Sequence, residues 1–140
     1  MPTWLLYALL SAAFAGLTSV LAKFGVQKIN ADLGLTIRTA VVLVLVASNL
    51  FAWSGQKDIG LLTPRALLFL VLSGTTTALS WVFYYRAMKL GSVSYVAAID
   101  KGSIVLTILL SVLLLGEQFT FKLAAGAGLI LAGMLVLIWK

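Results

Sequence analysis

The sequence has no cysteine, no histidine and only two prolines, and its 140 residues include just ten Lys or Arg and four Asp or Glu. Without Cys there is no thiol nucleophile, disulfide framework or thiolate metal site. Without His the chain lacks the commonest metal ligand and the commonest general base. No catalytic residue, metal site or cofactor is therefore expected. The shortage of charge excludes still more. A soluble domain carries about 25% charged residues, which cover its core, whereas here 10% are charged and 62% hydrophobic. With mean hydropathy at +1.13, so much apolar surface is stable only in lipid, and the composition specifies an all-α polytopic membrane protein. The net charge of +6 does not indicate nucleic-acid binding, because the basic residues are scattered between apolar runs instead of clustered. They read as boundary charges at the bilayer surface.

A hydrocarbon core about 30 Å thick takes about 20 apolar residues in a helix. Five stretches meet that length: Trp4–Leu21, Leu35–Trp53, Ala66–Tyr85, Val93–Leu115 and Phe121–Trp139. The connections are Lys23–Asp32, Ser54–Arg65 with Gly55, Gly60 and Pro64, the Leu90-Gly91-Ser92 turn, and Gly116–Thr120. Short connections give antiparallel neighbours, so residues 1–140 form one up-and-down five-helix domain. Ala13-Phe14-Ala15 has the small-residue look of a signal cleavage site, but the first cations, Lys23 and Lys28, follow the apolar run, so that run is kept as a span. An odd number of spans puts the termini on opposite faces. Lys23, Lys28, Arg38, Arg86, Lys89 and Lys140 fall on one side against Lys57, Arg65 and Lys122 on the other, which favours the C-terminus inside. Trp4, Trp53 and Trp139 sit near span ends, as interfacial anchors do.

Small residues recur every four positions at Ala8, Ala12 and Gly16 and again at Ala124, Gly128 and Ala132. Such stripes let helix backbones approach closely in lipid. The first is assigned to packing within the chain; the second serves either that purpose or a dimer seam.

Asp100 and Lys101 are the two charges that span ends do not explain. Asp100 lies nine residues beyond Gly91, about 13 Å into the membrane at helical rise. A charge at that depth costs about 2.5–3.5 kcal/mol and needs a partner or a water-filled cavity. Adjacent helical residues point about 100° apart, so the two are expected to find partners elsewhere and not in each other. They are either a substrate or coupling site or a structural interhelical ion pair, and the functional reading is placed first. Trp81, ten residues before Gly91, reaches nearly the same depth and shares a helix face with Tyr85 and Met88. An aromatic wall opposite a carboxylate suits an organic cation or an amphipathic metabolite. For Tyr84, Tyr85, Arg86 and Lys89 an interfacial belt is the simpler reading; Trp81 is too deep for one. Lys23 and Arg38 are read as boundary charges, ahead of a basic vestibule for an anion.

The stretch Val93–Lys140 resembles the second half of an EamA domain, the repeat unit of the drug/metabolite transporter superfamily. The resemblance rests on LLLGE at Leu113–Glu117, a short turn, and GLILAG at Gly128–Gly133. Gly16, Lys23, Arg38 and the Trp81–Leu90 segment fit the front half more loosely, and AIDKGS around Asp100 and Lys101 looks like a short, single-domain branch. The resemblance implies a transporter whose usual form has two such five-helix repeats of inverted topology enclosing a midplane cavity. It implies that Glu117, the family's hallmark acid, fixes the turn after the fourth helix. One repeat then requires a homodimer, antiparallel or parallel, or a second protein as the other half. The expected function is a secondary transporter subunit for a small organic metabolite in a bacterial or archaeal inner (cytoplasmic) membrane, with Asp100, Lys101, Trp81 and Tyr85 lining the path. The alternative is a non-transporting membrane module that stabilises or orients a partner. A membrane-embedded enzyme lacks the residues it would need.

Overall fold

A computed structural model describes residues 2–52 and 59–139. In chain order the helices are α1 (Thr3–Val26), α2 (Ala31–Ala52), α3 (Pro64–Leu90), α4 (Val93–Asp100), α5 (Ser103–Leu115) and α6 (Phe121–Ile138), with no strand among the described residues. Five segments are long and apolar enough to cross a membrane, α4 and α5 together making the fourth, Val93–Leu115. Trp53, expected as an anchor, lies outside the described residues.

Helix ends follow local chemistry more than the charge boundaries. The Asn30 side chain accepts the Asp32 N–H at 2.8 Å and opens α2, with Asp32 in the first turn where an acid complements the dipole. Thr63 accepts the Ala66 N–H at 3.2 Å, and Pro64 follows as the first helical residue of α3, a position needing no N–H donor. Thr120 caps α6 by accepting from Leu123. At the other ends α1 runs on to Val26 and α3 to Leu90, past the expected limits, because Lys23 and Lys89 fall in the last turn, where a cation is favourable.

The chain divides into two units, Met1–Lys89 and Leu90–Lys140. In the first unit, α1, α2 and α3 pack around Val26, Ala31, Leu35 and Tyr85, with Ala22, Trp81, Val82 and Tyr84 against them and Met88 fully buried. Gly34 makes the approach of α2 to α1 possible: a Cβ there would lie 2.6 Å from Val26 Cγ1. Polar contacts tie the same end together. Lys23 donates to the Met88 carbonyl at 2.6 Å, and Lys89 reciprocates from α3 to the carbonyls of Val26 and Ile29. Each lysine thus occupies the carbonyl-rich C-terminal end of the other's helix. Arg86 forks onto Asp32 with two 3.1 Å bonds, and the hydroxyls of Ser19 and Tyr84 meet at 2.8 Å. Tyr85, expected in an interfacial belt, is instead 3% exposed in this cluster. Lys89→Gln is expected to destabilise the unit by about 1 kcal/mol, since two charge-assisted bonds are lost at a largely exposed site. Thermal unfolding in detergent reads the loss, and Lys89→Arg should recover part of it.

In the second unit, α5 ends at Gly116, whose φ of 68° suits glycine. The N–H groups of Gly116 and Glu117 both turn back onto the Ser111 carbonyl. Glu117 therefore fixes the turn through its backbone; its carboxylate has no partner among the described residues.

The first small-residue stripe differs from expectation. Ala8, Ala12 and Gly16 are exposed, and a Cβ on Gly16 would meet nothing within 4 Å, so the first stripe is not packed against the described residues of its own unit. On α6, Ala124 is half-buried while Gly128 and Ala132 are exposed.

Candidate functional site

Two open clefts of the first unit are lined in part by polar side chains. One, about 470 Å³, lies between α1 and α2 and is lined by Thr18, Leu21, Gly25, Ile37, Arg38 and Tyr85 among others. The second, about 780 Å³, lies between α2 and α3 and includes Thr39, Ser73, Thr77 and Trp81. Thr75, Thr76 and Thr77 spend their hydroxyl protons on their own helix, bonding to the carbonyls of Val71 and Ser73. Thr77 thus lines the second cleft without bridging helices.

Arg38 lines the first cleft and lies over Trp81, which lines the second. Its guanidinium carbon is 4.3 Å from the Trp81 ring centroid and 5.8 Å from that of Tyr85. The residues singled out on α3 are thereby brought together, but around a cation of the protein itself. One face of the Trp81 ring is covered by this cation, and Trp81 also lines the second cleft. Unlike a boundary charge, Arg38 lies seven residues inside α2, about 10 Å along the helix. No carboxylate and no hydrogen-bond acceptor meets its guanidinium among the described residues.

In the second unit the fourth span is broken where its charges lie. Lys101 and Gly102 donate three residues back, to Ala98 and Ile99, and Ile104 and Val105 likewise to Lys101 and Gly102. This run of 3₁₀-type bonds separates α4 from α5. Across the break Lys101 Nζ reaches Asp100 Oδ2 at 3.2 Å, contrary to the expectation that the two point apart: the tightened turn brings neighbours closer than a regular helix does. The side chains remain 59% and 36% exposed, lysine first. Gly102 lies against α6, where a Cβ would come within 3.0 Å of Met134 Sδ.

Trp81 and Tyr85 therefore belong to one unit, with Arg38, and Asp100 and Lys101 to the other. Among the described residues no group of acids could hold a metal ion.

Comparison with known proteins agrees with these features. The model of the EamA-like transporter family matches residues 2–139. A protein of Sinorhizobium sp. named as an uncharacterized transporter in the cobO 3′ region is 44% identical over 135 residues, covering 96% of each chain. No solved structure matches. A membrane-spanning helical chain with charges set into a broken span, matched almost from end to end by this model, belongs to the EamA-like transporter family.

Proposed function

We propose that the chain is one half of a secondary transporter that moves a small organic metabolite across a bacterial or archaeal cytoplasmic membrane, with its C-terminus inside. Two copies, antiparallel or parallel, enclose the path. Asp100 and Lys101 in one unit, and Trp81 and Tyr85 in the other, bind substrate or couple its movement. The observation that carries this reading is the break in the fourth span at Asp100, Lys101 and Gly102. An interrupted helix with ionisable groups inside a membrane span is costly unless it lines a cavity, which is how transporters build binding sites. Support for pairing comes from the open face of Gly128 and Ala132 on α6, where a second helix backbone could come close.

The test is accumulation by proteoliposomes of compounds from a whole-cell metabolite extract, read by mass spectrometry, with the mass of the nanodisc-embedded complex measured in parallel. Protein-containing vesicles are expected to accumulate a restricted set of metabolites that empty vesicles do not, and the complex to contain two chains. Identical contents in both vesicle types would leave a non-transporting module as the function, and a single chain per nanodisc would remove the paired cavity.

A further inference from the structure

We infer that the α1–α2 cleft is a binding site for an organic anion, a carboxylate attached to an apolar body, with Arg38 as the residue that recognises the charge. The inference names the substrate class of the transporter reading and rests on that reading only for its biological purpose; the binding itself is a property of the cleft.

Three features converge on this ligand. The first is the state of the guanidinium. Stacking on Trp81 satisfies its face but none of its N–H groups, which radiate in the plane of the group. Those donors meet no acceptor among the described residues, whereas Lys23 has Met88, Arg86 has Asp32 and Lys89 has Val26; Lys28 and Arg65 also lack an acceptor there, but of these three cations it is Arg38 that lines the cleft. The second is the shape and lining of the cleft. At about 470 Å³ it lies in the range of small-molecule sites, and Leu21, Val26, Ile29 and Ile37 supply its apolar wall while Arg38 supplies its one charge. The planar fork of arginine matches a carboxylate with two parallel bonds, leaving an apolar body to lie along the wall.

The third is depth, which separates a metabolite from a lipid headgroup. The Asp32–Arg86 pair and the Lys23 and Lys89 contacts mark the polar end of the unit. Arg38 is six residues beyond Asp32 along α2, about 9 Å from that polar end at helical rise, so a lipid phosphate held at the level of Asp32 would have to leave that level to reach it. Trp81 and Tyr85 hold the guanidinium there by cation–π contact, an arrangement that keeps the charge in place while its donors stay free.

The experiment uses the purified full chain in nanodiscs of zwitterionic lipid, with tryptophan-detected thermal unfolding as the readout. The probes are straight-chain monocarboxylates of three to eight carbons together with phenylacetate, each paired with its amide and its amine. One or more carboxylates are expected to raise the unfolding temperature in a saturable way while the matching amides and amines do not. Arg38→Gln is expected to weaken that binding at least tenfold, Arg38→Lys to weaken it less, and Lys28→Gln to leave it unchanged. Absence of a shift with every carboxylate, an equal shift with the amides or amines, or full affinity in Arg38→Gln would overturn the inference. Loss of the carboxylate shift on adding phosphatidylglycerol would also overturn it, by assigning the site to lipid. The ligand-pair comparison on the unmodified chain decides even if the Arg38 variants fold poorly. Carboxylate binding without vesicle transport would sink the transporter reading alone; transport confined to neutral or cationic metabolites would sink this inference alone.

Discussion

Asp100→Asn is expected to lower uptake, normalised to inserted protein, at least tenfold for the metabolites that vesicles carrying the unmodified chain accumulate. The variant leaves Lys101 without its 3.2 Å partner. An unpaired charge within a membrane span costs about 2.5–3.5 kcal/mol on insertion scales, although the 59% exposure of the lysine side chain reduces that burden wherever water reaches it. Loss of transport in one variant would therefore not separate chemistry from stability. The double variant Asp100→Asn, Lys101→Gln does so, because it removes both charges and with them the cost of an unpaired one. If the pair binds or couples substrate, stability recovers in the double variant and uptake does not. If the pair only holds the broken span together, both recover. Dissipating the proton gradient adds a second measurement: uptake that depends on the gradient in the unmodified chain and persists at a low, gradient-independent rate in Asp100→Asn would give the carboxylate the coupling role.

The number and placement of the spans are legible in the sequence because lipid acts on each helix separately: about 20 apolar residues are needed whatever their neighbours do. The ends were less legible, since Lys23 and Lys89 look like the beginnings of loops but are last-turn residues whose long side chains reach the carbonyls of other elements. That exchange depends on two helices meeting, which periodicity within either one does not encode. The site divides in the same way. Asp100 and Lys101 stand out on cost alone, but their mutual contact depends on three-residue bonds through Ala98–Gly102, and a glycine in a membrane helix is too common to announce a break. Arg38 escaped because its partner Trp81 is 43 positions away and on another helix. Judged by its neighbours in sequence it is an ordinary boundary charge; judged by the ring it covers, it is a cation placed in a cleft. The spacing of Trp81 and Tyr85 did show that an aromatic face was available, though not what would occupy it.

Gly34→Ala is expected to destabilise the first unit by about 1–3 kcal/mol, the usual cost of overpacking, visible as a thermal midpoint lower by roughly 4–12 °C. The added methyl would sit 2.6 Å from Val26 Cγ1, and Val26 cannot swing aside because it is 2% exposed and held in the core with Ala31, Leu35 and Tyr85. The remaining way to relieve the contact is to separate α2 from α1. Arg38 is one turn beyond Gly34 on the same face of α2, and both residues line the α1–α2 cleft, so the displacement that relieves Val26 also shifts the guanidinium relative to Trp81. Carboxylate binding should accordingly weaken in Gly34→Ala although no ligand-contacting group has been changed. Val26→Ala in the same chain provides the control: it removes the clashing methyl groups, so the double variant should be more stable than the sum of the two single losses and should regain part of the binding. Additive losses with unaltered binding would mean that α1 and α2 do not meet at this glycine.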